Sequence, residues 1–260
     1  MIRALYSAAT GMRSQQLNID VIANNLANVN TPSFKKTRVR FHDLLYQNLR
    51  PGGNPERLGP PAELAVGHGA KLAATERLYL QGSTEETGNP LHMLIEGDGF
   101  FQIRRPDGTI AYTRDGSFFL SAEGAIVNSD GLYLEPQILV PEDIAQLTLS
   151  SDGVLSARFH DSTDLEEIAQ LELARFVNPA GLTALGKNLL GSTPASGLPL
   201  LGTPGVEGFG SVMSGFLEGS NVEVVEEMVA LITAQRAYEI NSRSIQAADE
   251  MLSTANALVR

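Results

Sequence analysis

At 260 residues the chain has room for one large domain or two smaller ones, and its 43% hydrophobic content excludes a wholly disordered protein. A formal net charge of −11 argues against nucleic-acid binding, which requires a basic surface. Cysteine is absent, which excludes disulfides and thiolate metal sites, and no run of 18 apolar residues could span a bilayer.

The amino-terminal segment predicts a long helix. A heptad pattern continues in register to residue 29, and a 3–4 alternation of this kind is typical of a helix that packs lengthwise on another. One heptad position is taken by Leu5, Met12, Ile19 and Leu26, and its partner by Ala8, Gln15, Ile22 and Val29. The segment has no uninterrupted apolar core followed by a cleavage site, so we expect no cleaved Sec signal. An organellar transit peptide is the alternative, and the continued register favours a structural helix.

Residues 23–35 read ANNLANVNTPSFK and place several asparagines near the end of this helix. Asn24, Asn25 and Asn28 fall on the flank away from Leu26. Helix termination before a proline explains Asn28 and Asn30 well. It explains the other two less well, because they lie a turn or more inside. Uncharged amides suit contacts with another subunit, where a bare charge would be costly to bury, and we therefore predict that this flank is an interface.

The middle of the chain predicts an antiparallel β domain. Turn signals containing glycine recur every seven to nine residues from Gly99, and they favour a meander. Residues 50–61 and 191–210 are rich in Gly and Pro and predict loops or extended connectors. The predicted strands are Phe100–Ile103, Ile110–Tyr112, Phe118–Leu120, Leu132–Leu134, Leu147–Leu149, Val154–Phe159 and Ala169–Phe176.

The carboxyl-terminal segment predicts a second heptad helix. Ser220 and Asn221, followed by Glu223, form a candidate capping region. The two heptad positions hold large and mostly small residues respectively: Leu231, Tyr238, Ile245, Leu252 and Val259, then Ala234, Asn241, Ala248 and Ala255. Val225, Val229 and Ile232 lie off this seam. A helix that is apolar on more than one side suits several helical neighbours. An intramolecular hairpin packed on the β domain is the alternative.

The sequence contains no motif that brings catalytic residue types together at a characteristic spacing. His42, His68, His92 and His160 lack metal-ligand spacing, and no phosphate-binding loop or nucleophile elbow occurs. Acidic pairs, including Glu226–Glu227, are interpreted as solvated. We therefore expect no enzyme activity, no cofactor and no metal.

Several motifs in the same order resemble those of flagellar basal-body rod and hook proteins, and most closely the distal-rod members. They are AATGM, ANNLANVNTPSFK, ATERLYLQGSTEETGNPLHMLIEGDGFFQI, YTRDGSFFL and SNVEVVEEMVALITAQRAYEINSRSIQAADEML. Thr31, Pro32 and Phe34 belong to the first signature of this family, and Gln235 and Arg236 to the last.

The resemblance implies a helical homopolymer, with an inner tube of terminal helices and an outer layer of β domains. The expected fold class is α+β: a core helix at 1–30, an extended stiffening segment at 31–70, a β domain at 71–190, a connector at 191–215 and a core helix at 216–260. The residues implied in assembly are Leu5, Met12, Ile19, Leu26, Leu231, Tyr238, Ile245 and Leu252 in the tube, with Asn24, Asn25 and Asn28 making lateral contacts.

The implied partners are copies of the chain, other rod and hook subunits, the surrounding ring proteins and the flagellar export apparatus. The implied location is the periplasm-spanning rod. Two alternatives remain open. One is a hook or proximal-rod member of the same family, and the other is a ligand-binding β domain or enzyme that its terminal helices dimerise.

Overall fold

The computed structural model describes residues 2–50, 64–141, 143–160 and 165–258. The chain divides into two compact units. The helical unit draws its residues from within 1–27, 37–77 and 223–260, and the β unit comprises 28–36 and 78–222.

Two long helices and four strands form the described part of the helical unit. Helix α1 packs against helix α2, which places the two ends of the chain side by side. The strands make two antiparallel pairs, β1 with β4 and β2 with β3. The elements are α1 (Ile2–Ala27), β1 (Thr37–Asp43), β2 (Tyr46–Arg50), β3 (Leu64–Gly67), β4 (Ala70–Arg77) and α2 (Val224–Leu258).

Short antiparallel strands form the β unit, together with a 3₁₀ turn at Pro179–Gly181. The strands are β5 (Thr84–Glu86), β6 (Met93–Glu96), β7 (Phe101–Arg104), β8 (Ile110–Thr113), β9 (Phe118–Leu120), β10 (Ile126–Asn128), β11 (Tyr133–Glu135), β12 (Ile144–Leu149), β13 (Val154–Phe159), β14 (Leu165–Gln170), β15 (Leu173–Arg175), β16 (Thr183–Gly186), β17 (Leu189–Gly191), β18 (Leu200–Gly202), β19 (Ser211–Ser214) and β20 (Phe216–Glu218).

The largest sheet of the β unit has seven strands in the order β16-β17-β8-β7-β11-β10-β9. Strands β12, β13 and β14 form a separate three-stranded sheet, and the remaining strands pair as β15-β18, β19-β6 and β20-β5. The main core lies between these sheets. Phe101 and Phe118 are fully buried there and meet edge to face, with their ring centroids 5.2 Å apart.

The α+β class is confirmed, with a helix at each end of the chain and a β-rich centre. The strand expected at 169–176 is divided between β14 and β15. The sheet is antiparallel as expected but is not a simple meander, because β11 pairs with β7 and so separates β8 from β9.

Several expected boundaries differ from those of the structure. Helix α1 ends at Ala27 instead of residue 29, since the chain turns where Thr31 N–H donates to Asn28 O at 3.1 Å. Helix α2 begins at Val224, because residues 216–218 are used as strand β20. Residues 37–50 pair with residues 64–77 and belong to the same unit as the helices, and the expected connector 191–215 contains paired strands. Val259 and most of the expected loop at 50–61 lie outside the described residues.

Candidate assembly surfaces

Small residues form the contact surface between α1 and α2. Ala8 on α1 and Ala234 and Ala248 on α2 are buried. Gly11 faces Asn241, and a Cβ added to that glycine would lie 3.0 Å from the Asn241 Nδ2 atom. Ala234, Asn241 and Ala248 share the mostly small heptad position of α2, Ala8 belongs to its counterpart on α1, and Gly11 lies one turn beyond Ala8. The two backbones therefore approach closely along this line.

The bulkier heptad positions lie beside this line rather than on it. Leu5, Met12, Ile19 and Leu26 on α1 are half-buried, and so are Leu231, Ile245 and Leu252 on α2. Tyr238, expected to pack inside, is 39% exposed. One helical neighbour therefore covers only part of each expected tube residue.

A second apolar surface runs along the first turns of α2. Its members recur at the i, i+3, i+4, i+7 spacing that places side chains on one helix face. We call it the outer stripe, and it consists of Val225, Met228, Val229 and Ile232, which are 50% to 74% exposed. An amphipathic helix in a lone globular protein presents polar residues on its outer side. The outer stripe is therefore a surface that the described part of the chain leaves uncovered.

A groove of about 700 Å³ lies within the helical unit, between α1 and the segment around β4. We call it the α1 groove. Its lining mixes apolar and charged side chains: Tyr6, Thr10, Arg13, Ser14, Gln16, Leu17 and Asp20 from α1, and Leu44, Ala70, Lys71 and Leu72 from the hairpin region. Tyr6 and Leu72 are exposed within it. The groove is open enough to receive side chains from another molecule.

Asn25 has a role inside the chain that corrects the expectation of a contact with another subunit. It is 1% exposed. Its Nδ2 donates to Thr37 O at 2.9 Å, and its Oδ1 accepts from Thr37 N–H, also at 2.9 Å. The same Nδ2 donates to Glu227 Oε2 at 3.1 Å. A buried amide whose hydrogen-bonding groups are paired in this way is a structural element of the helical unit.

The other two asparagines of this group lie in different surroundings. Asn24 is exposed on α1. Asn28 is half-buried just beyond the helix, where its Oδ1 accepts from Thr31 Oγ1 at 3.1 Å. Lateral contacts with other subunits stay a prediction for Asn24 and Asn28.

The interpretation of Glu226 and Glu227 as a solvated pair is wrong for Glu227, which is 2% exposed. Its carboxylate accepts the hydrogen bond from Asn25, a partner that lies 202 residues away in the sequence. No local pattern signals such a pairing, so sequence reasoning missed it.

A cluster of buried charged side chains, the ionic cluster, lies within the β unit and consists of Lys35, Arg114 and Glu218. Lys35 Nζ donates to Glu218 Oε1 at 2.6 Å and to Leu80 O at 2.7 Å. Arg114 Nε donates to Glu218 Oε2 at 2.9 Å, and Gly82 N–H donates to Oε1 at 3.0 Å. Glu218 thus ties together three stretches of chain that are distant in sequence.

The guanidinium of Arg114 is satisfied by backbone carbonyls as well. Its Nη1 donates to Gly97 O and Gly99 O, and its Nη2 donates to Ile95 O at 3.0 Å. Hydrogen bonds of this kind compensate the cost of removing the charge from water. The cluster therefore contains two cations and one anion, and the guanidinium group of Arg114 still has hydrogen-bond acceptors.

Burial and ion pairing oppose each other in this cluster. Burial raises the pKa of Glu218, but the charges of Arg114 and Lys35, with the hydrogen bonds from Lys35 and Gly82, outweigh it, so the pKa lies below its usual 4.5. Burial lowers the pKa of Lys35 more than the charge of Glu218 raises it. Glu218 is therefore an anion at neutral pH.

The family-signature residues Thr31, Pro32 and Phe34 are half-buried in the β unit. Between the last two lies Ser33, in the left-handed backbone region at φ 55°. Its N–H donates to Glu218 O at 2.7 Å, and its hydroxyl donates to Arg114 O at 2.8 Å. The signature thus includes a constrained turn fastened to the ionic cluster. Gln235 and Arg236, from the other signature, are exposed on α2.

Asn221 does not cap α2 as expected, because its amide bridges neighbouring chain segments. Lys36 N–H donates to its Oδ1 at 2.7 Å, and its Nδ2 donates to Leu78 O and Leu80 O at 2.9 and 3.1 Å. Asn221 thus connects segments in the β unit that are more than 140 residues apart.

The described residues contain neither a metal-binding cluster nor a membrane-spanning helix. Within the described ranges, no three His, Asp or Glu side chains come together in a way that could hold a metal ion. Neither described helix is long and apolar enough to cross a membrane.

Three family models match successive parts of the chain. Residues 5–35 match a model described as flagella basal body rod protein. Residues 94–157 match the D1 domain of flagellar hook protein FlgE/F/G, and residues 213–258 match the C-terminal part of the flagellar basal body rod FlgEFG proteins. The matches include both terminal helices and part of the β unit.

Similar proteins align along nearly the whole chain. The flagellar basal-body rod protein FlgG of Borreliella burgdorferi is 50% identical, with 100% of both chains covered. FlgG of Agrobacterium fabrum is 46% identical over 97% of each chain. The flagellar hook protein FlgE of Helicobacter mustelae is 38% identical over 52% of this chain and 30% of its own length. The likeness to rod proteins is thus full-length, and the likeness to this hook protein is partial.

Proposed function

Because this chain belongs to the family of flagellar basal-body rod proteins, we propose that it assembles with copies of itself into the distal rod, the drive shaft that carries torque from the motor to the hook. It is a structural subunit of the flagellar rod. We also propose that the subunit lies in the distal part of the rod and that its terminal helices make the contacts that build the polymer.

The observation that carries the proposal is the uncovered apolar surface of α2. The helix buries its small-residue line against α1 while Val225, Met228, Val229 and Ile232 remain exposed on its other side. Burying a large apolar side chain is worth about 1.5–3 kcal/mol. Further copies of the chain would supply that burial, and a single copy does not.

The location and remaining partners follow from the same proposal. The protein is placed in the flagellar basal body, where family members assemble with other rod and hook subunits. We extend this to a rod that crosses the periplasm inside ring proteins, built from subunits exported unfolded by the flagellar apparatus without a cleaved signal. A chain without cysteine suits such export, because no disulfide has to form or open on the way.

A stiffening role for residues 31–70 is also proposed. Its described parts are not loose chain, since β1 pairs with β4 and β2 with β3. Replacing residues 42–70 with the corresponding segment of a hook protein tests the role. The rod account expects the hybrid polymer to bend more easily in electron micrographs. Rods as straight as those of the parent would contradict it.

An enzymatic or ligand-binding role is the competing proposal, and we propose a purely structural role instead. Nucleophilic catalysis needs a hydroxyl paired with a base, whereas the hydroxyl of Thr10 in the α1 groove donates to the backbone oxygen Ser7 O at 2.9 Å. Saturable binding of a small molecule to the dilute protein would favour the competitor.

Electron microscopy of the concentrated full-length protein tests the proposed function directly. The proposal expects straight rods or tubes to form above a threshold concentration. A monomer that forms no ordered polymer at any soluble concentration, alone or on rod ends as seeds, would contradict it.

A further inference from the structure

The outer stripe and the α1 groove lie on opposite sides of the paired helices. An α-helix has 3.6 residues per turn, which places Val225 and Ile232 roughly half a turn from Asn241, the residue that faces Gly11 of α1. By the same count, Arg13 and Asp20 in the groove lie about half a turn from Gly11, which faces α2. The stripe and the groove of one chain therefore point away from each other and cannot meet in the same molecule.

The two surfaces are complementary in charge. The charged side chains that line the groove are the exposed cations Arg13 and Lys71 and the acid Asp20. Outside α2, the described parts of the helical unit contain seven Lys or Arg and four Asp or Glu, of which Glu223 directly precedes α2. Helix α2 contains five acids against two arginines, and the exposed Glu223 precedes the outer stripe. A basic groove and an acidic helix attract each other.

The two surfaces also match in form. From Val225 to Ile232 the stripe extends about 10 Å along the helix, whereas the α1 face of the groove extends about 20 Å from Tyr6 to Asp20. The groove contains apolar side chains, including Leu17, Leu44 and Leu72, that could receive the stripe. It is thus long enough for two helical turns of another copy.

We propose that the outer stripe of α2 in one copy docks into the α1 groove of a second copy. This inference rests on the proposed function, for which it names the two mating surfaces. Because a different patch is used on each partner, the contact is head-to-tail and leaves a free stripe at one end and a free groove at the other. Repetition of such a contact generates an open helical polymer unless the rotation closes a ring.

Engineered disulfides between different copies test the docking, because the natural chain has no cysteine. One full-length variant contains Val229→Cys in the stripe, and a second variant, tagged to a different size, contains Leu72→Cys in the groove. Rods are first formed from the mixture under reducing conditions and are then oxidised. The control mixture pairs Val229→Cys with Val177→Cys, which is 83% exposed in the β unit. All products are counted on a non-reducing gel.

The docking predicts about tenfold more mixed dimer from the stripe–groove pair than from the control pair, because a disulfide requires close Cβ atoms. Rods that form but cross-link no better than the control would overturn the docking and leave the proposed function standing. Absence of rods from the parent protein would instead remove the proposed function. If a cysteine itself blocks assembly, Met228→Cys with Leu44→Cys applies the same test at neighbouring positions.

Discussion

Asn25 holds Thr37 as a neighbouring β-strand would, by donating to its carbonyl oxygen and accepting from its N–H, both at 2.9 Å. This pair fastens the last turns of α1 to the start of β1. The remaining donor capacity of the amide reaches Glu227 on α2. One side chain therefore joins three elements of the helical unit.

Replacing Asn25 with aspartate should destabilise the helical unit by about 1–3 kcal/mol or more, because a carboxylate lacks the donor and faces the carboxylate of Glu227. The measurement is the temperature at which assembled rods lose their helical circular dichroism. The matched control is Asn48→Asp, which makes the same change at an exposed position of β2, outside the predicted contacts with other copies, and should leave the transition nearly unchanged. Equal transitions for the two variants would contradict the role assigned to Asn25.

Replacing Glu218 with glutamine should destabilise the β unit by about 3–5 kcal/mol, because it leaves the buried cations of Lys35 and Arg114 without a counter-charge. Urea unfolding followed by near-ultraviolet circular dichroism measures the loss. Glu86→Gln, an exposed change in the partner strand β5, serves as the control and should have little effect. A neutral result for Glu218→Gln would mean that the ion cluster does not support the fold.

The ionic cluster should also make stability depend on acid pH. The pKa of Glu218 is lower in the folded chain than its usual 4.5, so its contribution is fully present above pH 4.5 and is lost as the pH falls through the folded value. Thermal unfolding from pH 6 down to about pH 3 should therefore show a steeper loss of stability for the parent than for Glu218→Gln. Parallel curves would exclude Glu218 as the source of the acid sensitivity.

Periodic patterns in the sequence were sufficient to predict the two terminal helices and most of the strands between residues 99 and 160. Heptad spacing identified both terminal helices, and glycine-centred turns located most strands between 99 and 160, with Val154–Phe159 predicted to the residue. Both signals are local, since they depend on residues within a few positions of each other. The short strands at 84–86, 200–202 and 216–218 have no such signal, because their pairing partners are far away in sequence.

The site was predicted less completely, for the same physical reason. The crowding of asparagines predicted an interface with another subunit, whereas the partners of Asn25 lie in its own chain, 12 and 202 positions away, and could not be inferred from its sequence neighbours. Lys35, Arg114 and Glu218 were not singled out at all. A buried ion pair consists of residue types that are ordinarily exposed, and only the tertiary fold brings Lys35 and Glu218 together across 183 positions.

Ile245→Asp should prevent rod assembly and abolish motility while leaving the β unit folded. Ile245 is half-buried beside the α1–α2 contact, and a carboxylate there would be costly to desolvate when further copies cover it. Swimming in soft agar and electron microscopy of the purified variant measure the effect. Ser244→Asp introduces the same charge at the exposed neighbouring position as a control. Normal motility of Ile245→Asp would count against a packed helical tube.

Each terminal helix is covered on one side only until other copies pack against it, and amide hydrogen exchange in α1 and α2, compared between dilute monomer and assembled rods, measures this difference. We expect fast exchange across residues 2–27 and 224–258 in the monomer and strong protection of the same amides in rods. Helices already as protected in a dilute, non-assembling monomer as in rods would contradict this expectation.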